Sequence, residues 1–596
     1  MLPWAAGTAA LLVWSMTIGD AYWVGVVAQG LALSLIFLSF VVVVGLGGMV
    51  NLAQAAFAAL AALIAGLCLS KGVPFPVAAA IGVLAAVAAG VVVALPSLRL
   101  GGRVLTLATL ALALLADQVL FQIDALTNGT SGWPMPAVLL GSIDTNDPAT
   151  RVMAVLVLVG VTALVVRKLE HSATGRAIVA VRSSPPAAAA VGISAVRAKI
   201  VLLATASAIA GLGGIVYAMW NGQITATDLP AQTGFLWLAV VVLQGVRRVG
   251  GAVLAGLTMA LVPELLSYVT SSQHVGAIMF GLGGIVLAAH PDGVLADFAE
   301  RRHRHRERRR QHARVRRDPA RKPAGSPGRG RASPAAAAEF ERGGGPPGSL
   351  TGPGTDGPGA MPALRLHRVV AGYGAAAVLD RLDLDVPAGG VVALLGANGA
   401  GKSTACAVAG GILSARTGRV LLDGADITAW PAHRRARAGV FLVTEGRGAF
   451  PGLTVEENLA VWLPAAADRA AAYDALPHLA NRRDVVAGSL SGGEQQILAL
   501  APALVRPPHV LIADEPTLGL APRLAEQIFD MLGLLHGRGV ALLLVAEKAN
   551  QVLRLADTMA LIRRGRVTWT GPASQVDKER LTWAYLGLSG VSGVSE

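Results

Sequence analysis

Gly396, Ala397, Asn398, Gly399, Ala400, Gly401, Lys402, Ser403 and Thr404 read GANGAGKST and follow directly on the apolar, strand-like run Val391 to Leu395. Glycines let a backbone curl until successive N–H groups point inward, and a helix starting near Lys402 adds the positive end of its dipole. The spacing fits GxxxxGK[ST] and predicts a cradle for the phosphates of ATP. Lys402 would reach the β and γ phosphates as a point charge, and the Ser403 hydroxyl would help hold Mg2+.

Further stretches carry complementary chemistry. His509 to Glu515 (HVLIADE) is a buried-strand run ending in adjacent acids, which suits Asp514 for Mg2+ and Glu515 for positioning an attacking water. Leu490 to Gln496 (LSGGEQQ) is a Ser-Gly-Gly turn opening a helix, a second phosphate-binding N-terminus. Tyr373, in AGYG upstream of the loop, stands where an aromatic ring could stack on adenine.

The elements that must position these residues occupy less than half of the chain. At 596 residues the sequence is long enough for several domains, and its 54% hydrophobic content excludes a wholly soluble protein. Apolar runs recur in the front half near 3–18, 23–46, 52–69, 76–95, 104–121, 152–166, 200–220, 234–243, 252–268 and 276–289. They predict an all-α, polytopic membrane domain over 1–297 with roughly eight to ten spans, the first of them at the N-terminus in place of a cleaved signal peptide. Arg99, Arg103, the stretch from Arg167 to Lys199, and Arg247 with Arg248 mark cytoplasmic loops, whereas the loop bearing Asp124, Asp144 and Asp147 lies outside. The ATP site falls on the same side as the basic loops.

Small residues crowd certain spans: Gly45, Gly47, Gly48, then Ala55, Ala56, Ala58 and Ala59, and later Gly211, Gly213 and Gly214. Close helix packing explains them. Asp117 and Glu264 are the ionisable exceptions, placed near span ends. Cys68 and Cys406 read as buried, inert thiols, and two cysteines exclude a disulfide framework. The loop from His171 to Lys199 mixes an Ala-rich helical stretch with a Pro185-Pro186 break and is long enough to form a short docking helix against the ATPase.

Much of the +13 net charge crowds between Arg301 and Arg331. Residues 298–360 are first arginine-rich, then Pro/Gly-rich, and predict a disordered tether whose basic half lies on anionic membrane lipid. No aromatic side chains interleave the arginines, which argues against nucleic acid as a partner. Residues 361–596 form the α/β P-loop ATPase domain.

Tyr373, GANGAGKST, LSGGEQQ and LIADEP, in that order, resemble the ATPase domain of ABC transporters. TEGRGAFPGLTVEENL (Thr444 to Leu459), EPTLGLAP (Glu515 to Pro522) and AYLG (Ala584 to Gly587) resemble the ATP-binding subunit of branched-chain amino-acid uptake systems. In the front half GLGGMVNLAQAAF, LPSLRLGGRVLTLATL, ALTNGTSG, GRAIVAVRSSPPAAAAVGIS and LVPELL resemble a permease subunit of the same systems, so two subunits look fused.

The resemblance implies that Ser491, Gly492 and Gly493 contact the γ phosphate held by a partner ATPase's phosphate loop. It also implies a second permease and a second ATPase, or a homodimer, and an extracytoplasmic substrate-binding protein. Glu445 takes the lid position, where most ABC proteins have Gln. Glu547, in VAEKAN, takes the catalytic switch position, usually His or, in this subfamily, Gln; a carboxylate there bears on hydrolysis at this site. Pro185 and Pro186 replace residues that are usually acidic and aliphatic, which implies a later start to the docking helix. The expected function is ATP-driven import of branched-chain or similar small amino acids across the cell membrane, with the ATPase cytoplasmic. Import of urea or short amides, export, and a non-transporting ATP-dependent regulator are the alternatives.

Overall fold

The computed structural model describes residues 20–97, 102–135, 139–140, 143–144, 147–268, 361–444, 448–546 and 552–575. The stretch expected to be a tether, the first and last predicted spans, Glu445 and Glu547 lie outside them.

Uninterrupted apolar sequence resolves into helices, because inside hydrocarbon each backbone N–H and C=O needs a partner within its own segment. The first described helix, α1 (Ala21–Phe40), runs on as a π-helical turn, Val41–Leu46. Then follow α2 (Gln54–Ser70), α3 (Phe75–Ser97), α4 (Gly102–Gln118), α5 (Pro148–His171), α6 (Ala173–Ser183), α7 (Pro185–Ala190), α8 (Ala195–Asn221), α9 (Thr233–Gln244) and α10 (Val249–Ser267). Among the described residues, six spans are long and apolar enough to cross a membrane: α1 with its π turn, α3, α4, α5, α8 and α10. α2 and α9 are apolar but shorter and coincide with two more of the predicted spans.

The bundle is built around α1, whose span is 94% buried. The outer helices leave Leu84, Val92, Leu107, Val157 and Leu164 exposed, as side chains facing lipid should be. The small residues do what their size allows. A Cβ on Gly213 would press on the Ile36 backbone of α1, one on Gly214 on Ala58 of α2, and one on Gly211 on Ala86 and Ala61. Cys68 corrects the expectation of burial: it is only half-buried, in the last turn of α2, where Leu67 and Leu69 are half-buried too.

Residues 361–575 are α/β. A parallel core sheet has the order β6-β7-β8-β3-β9, with β10 added antiparallel at its edge. These strands are β3 (Val391–Leu395), β6 (Val440–Val443), β7 (Val510–Asp514), β8 (Ala541–Ala546), β9 (Thr558–Arg563) and β10 (Arg566–Pro572). β3, β6, β7 and β8 are buried at every position, as apolar strands covered on both faces must be. A second, antiparallel sheet has the order β2-β1-β4-β5, from β1 (Leu364–Ala371), β2 (Leu379–Val386), β4 (Thr417–Leu422) and β5 (Ala425–Asp426). The helices used below are α11 (Lys402–Ala409), α12 (Ala432–Arg437), α13 (Val455–Trp462), α14 (Ala466–Ala475) and α15 (Gly492–Val505).

The docking helix forms, but it begins earlier than the prolines suggest. Pro185 and Pro186 are its first two residues, and the Ser184 hydroxyl accepts from Ala187 N at 3.3 Å. A helix's first N–H groups have no intrahelical acceptor, so proline loses nothing there and its fixed φ suits the start. Ala187 and Val191 line a small gap together with Phe441, Leu442, Val443 and Trp462 of the α/β half.

Candidate functional site

The loop after β3 curls as its glycines predict. Gly399 and Gly401 take φ of +79° and +109°, and Gly401 is the residue from which α11 starts. Lys402 is buried, and its Nζ donates to Gly396 O at 2.8 Å and to Ala397 O at 3.3 Å. The same nitrogen stands 3.7 Å from Glu515 Oε1. β7, hydrogen-bonded two strands away from β3, ends at Asp514, whose Oδ1 accepts from the Ser403 hydroxyl at 3.2 Å. Glu515 follows at φ +48°, left-handed backbone that costs a non-glycine residue and turns the chain sharply at the carboxyl end of this interior strand. Its N–H donates to Val545 O of β8 at 3.0 Å.

The loop and Glu515 share one cleft, with Asp514 behind Ser403. A cavity of about 420 Å3 is lined by Val378, Asn398, Gly399, Gly401, Lys402, Ser403, Thr404, Glu515 and Leu518. Ala400 is buried and does not line it. Such a set suits a polyphosphate: inward N–H groups and an ammonium for its charge, a hydroxyl beside a carboxylate for a divalent cation, and a second carboxylate to orient water. Beneath the loop, burial pushes the Cys406 thiol well up, and Asp514 and Glu515 push it in the same direction, so it stays protonated.

Two of the expected contributors stand apart from the cleft's walls. Ser491 and Gly492 are exposed and Gly493 is buried, and none of the three lines the cavity. Ser491 caps α15 reciprocally: its N–H and hydroxyl donate to Glu494 Oε2 at 2.9 and 2.8 Å, and its Oγ accepts from Glu494 N at 3.4 Å. Burial raises the Glu494 carboxyl, and the bonds from Ser491 with the Arg482 charge outweigh it, so the group ends below its usual value. Tyr373 is 59% exposed on the loop between β1 and β2.

Two arginines that no motif announces organise the surroundings. The Arg416 guanidinium donates to Gly374 O and Ala376 O, both at 2.8 Å, and to Ala375 O at 3.2 Å, which fixes the loop carrying Tyr373. Arg435 of α12 is 1% exposed and donates to Val408 O and Ala409 O at the end of α11, at 2.6 and 2.9 Å. It also donates to Thr428 O at 2.9 Å and Trp430 O at 3.0 Å. Desolvation lowers it to about 10, with Asp426 pulling the other way, so it is charged at neutral pH. Arg435 therefore ties α12, on which α7 sits, to the helix that begins at Lys402. Only the fold brings either arginine to its carbonyls, so no local sequence signal marks them.

In the membrane half, Asp117 Oδ2 accepts from Ala231 N at 2.6 Å and Glu264 Oε2 from the Tyr22 hydroxyl at 2.5 Å. Both carboxylates are engaged with neighbouring segments.

Residues 22–288 match the family described as branched-chain amino acid transport system / permease component, and residues 379–518 match the family described as ABC transporter. The chain is 38% identical over 232 residues to the high-affinity branched-chain amino acid transport ATP-binding protein BraG of Pseudomonas aeruginosa, covering 38% of this chain and 99% of that one. It is 38% identical over 233 residues to the probable branched-chain amino acid transport ATP-binding protein LivF of Archaeoglobus fulgidus, again covering 38% and 99%. A ribose import ATP-binding protein, RbsA 2 of Rubrobacter xylanophilus, is 31% identical, covering 39% of this chain and 47% of the relative. Among solved structures, a nucleotide-free ATP-binding cassette from an ABC transporter is 27% identical with a TM-score of 0.34, covering 38% of this chain and 95% of that chain.

Proposed function

Because this chain belongs to the ABC transporters of branched-chain amino-acid uptake, joining a permease component and an ATP-hydrolysing subunit in one polypeptide, we propose that it is an importer. Its cargo is a branched-chain or similar small amino acid delivered by an extracytoplasmic binding protein. The family makes it a multi-pass membrane protein with a cytoplasmic ATPase, in which ATP hydrolysis is coupled to transport. The ribose import relative covers 39% of this chain and is an ATP-binding protein, so substrate class rests on the permease half.

One observation carries the reading of the site: the phosphate loop and Glu515 line a single cleft, with Lys402 at 3.7 Å from Glu515, and Ser403 of that cleft reaches the buried Asp514 at 3.2 Å. In this reading Gly396 to Thr404 hold the phosphates, and Lys402 exchanges its carbonyl partners for the β and γ oxygens. Glu515 orients the attacking water and takes up its proton. Hydroxyl beside carboxylate is the hard oxygen pair that Mg2+ prefers, so Ser403 and Asp514 would hold it, and the ion when bound neutralises charge on the phosphates. Tyr373 stacks on adenine, held in place by Arg416. Glu445 takes the lid role. Glu547 occupies the switch position, and a carboxylate there, facing phosphate charge, turns aside, takes a proton or pairs with Lys548.

Ser491 and Gly492, which are exposed, and the buried Gly493, none of them lining the chain's own cleft, serve the ATP of a second ATPase. That second ATPase comes with a second permease subunit, or a second copy of this chain supplies both. Residues 1–297 act as the permease and 361–596 as the ATPase, with 298–360 as a tether against membrane lipid. Proteoliposomes containing the chain and its partner subunits should accumulate radiolabelled leucine only with ATP inside and the loaded binding protein outside. Full, substrate-coupled uptake by a single-copy monomer, or ATPase activity indifferent to the loaded binding protein, would sink the reading.

A further inference from the structure

Inside the membrane half, one stretch breaks the rule that lipid-embedded backbone is helical. After α1, the π-helical turn Val41–Leu46 widens the ladder: Gly47 N donates to Val42 O at 3.0 Å and Met49 N to Val43 O at 3.1 Å. Residues 47–53 are non-helical, and α2 then begins at Gln54. π turns and interrupted helices gather where membrane proteins handle polar cargo, because loosened backbone offers hydrogen bonds that an intact helix keeps to itself.

The break is partly repaired from α4. Leu52 N donates to the Thr109 hydroxyl at 3.2 Å, and the Thr106 hydroxyl donates to Val50 O at 3.4 Å. Asn51 Oδ1 accepts from Ala53 N at 2.9 Å. Three atoms beside these remain without a partner: Asn51 Nδ2, Gln54 Nε2 and Gln54 Oε1. Asn51 is 1% exposed and Gln54 0%. A buried amide left unsatisfied is costly, so its retention calls for a partner that is present only part of the time.

The start of α2 points to what that partner is. Its cap position is Ala53, which has no side-chain oxygen to offer, and the N–H groups of Gln54, Ala55 and Ala56 have no intrahelical acceptor, as at any helix start. Helical side chains lean toward their own N-terminus, which brings the Gln54 amide to the same end. Unused donors at the positive end of a helix suit a carboxylate, and Gln54 Oε1 supplies an acceptor for an ammonium. The place is mechanically connected: Arg182 of α6 donates to Gly45 O of the π turn at 2.6 Å, and α6 leads through Ser184 into the docking helix α7.

We propose that the N-terminus of α2, with the amides of Asn51 and Gln54, is a transient site for the zwitterionic head of an α-amino acid, at the cytoplasmic end of the path through the permease. The carboxylate takes the α2 N–H groups and the two amide donors, and the ammonium takes Gln54 Oε1. The site is closed when α7 and Arg182 stand as they do here, and ATP-driven displacement of α7 opens it through Gly45. This rests on the amino-acid import reading above.

The test uses proteoliposomes holding the full complex, with radiolabelled leucine as probe. Gln54→Met keeps the side chain's length and removes both orphaned atoms; leucine taken up per ATP hydrolysed should fall about tenfold or more, the size of losing a buried hydrogen-bond partner. Its thermal midpoint should hold or rise, since an unsatisfied group is gone. Asn51→Asp, which keeps Oδ1 and replaces the donor by an acceptor, should give the same loss of uptake. Uptake per ATP within twofold of the parent in both variants, or a lowered midpoint for Gln54→Met that marks a structural role, would overturn the site while leaving the import reading intact. A parent complex that accumulates no leucine, isoleucine or valine would overturn the amino-acid reading and this site with it.

Discussion

Lys402 in the ATPase half and Gln54 in the permease half are both polar and both buried, yet Lys402 has two carbonyls within 3.3 Å and Gln54 has nothing for either end of its amide. The ATPase half keeps its working groups satisfied through one another before any ligand arrives, so its site is rigid and ready. The permease half leaves a polar break unsatisfied among close-packed small residues. Chemistry needs preorganised charge, whereas passage needs a structure with a reason to leave its resting state.

The strongest way to break this contrast is to disable the preorganised site. Glu515→Gln in the assembled complex should bind ATP with near-parental affinity and lose on the order of 10²-fold or more in phosphate release, the range for a lost general base. Glu547→Gln should preserve or raise the rate. Equal losses from both would make Glu547 a working base and the assignment of Glu515 incomplete.

Next in size is Arg435→Met, which strips four carbonyls of their donor. We expect the ATPase half to lose roughly 3 kcal/mol, read as a lower unfolding midpoint in denaturant, because buried acceptors left unpaired cost more than the bond was worth. A loss below about 1 kcal/mol would mean that water replaces the guanidinium and that the α11–α12 tie is weak.

Gly214→Val probes the packing that the permease relies on instead. Its Cβ would meet the Ala58 backbone, and overpacking at about 1–3 kcal/mol should lower the complex's melting temperature and its yield in membranes. Parental stability would show that α2 and α8 can separate without penalty.

The smallest effect sharpens the electrostatics. Burial raises the Glu456 carboxyl, but bonds from the Tyr473 hydroxyl at 2.6 Å and Arg469 Nε at 2.6 Å outweigh it and hold it below its usual 4.5. A carboxylate depressed in the folded state adds stability above its ordinary value and loses it as pH falls through the folded one. The gap in melting temperature between the parent and Glu456→Gln should therefore close as pH drops below 4.5. A gap that is constant with pH would assign the effect to packing of α13 on α14.

What could be read from the chain follows the same division. The phosphate loop, the serine turn and the strand-end acids are contiguous, because each places its groups through a single local turn. Arg416 and Arg435 escaped because their partners are backbone carbonyls that only the tertiary fold assembles. Pro185 and Pro186 were misread as a break, since a proline pair signals a helix start or a stop depending on whether a cap such as Ser184 precedes it. Gln54 was visible as a letter in an apolar run, but its lack of partners is a property of the packed bundle.

The docking helix α7 has one further consequence. Its own buried side chains are Ala187, Ala188 and Ala190, each too small to bury much apolar area, so at about 25 cal/mol per Å2 the helix itself adds little adhesion. It is a bearing and not a glued seam. Because both halves belong to one polypeptide, docking is intramolecular and needs little intrinsic affinity. A low-friction contact kept in place by chain connectivity can pivot at every ATP cycle without having to be broken and found again.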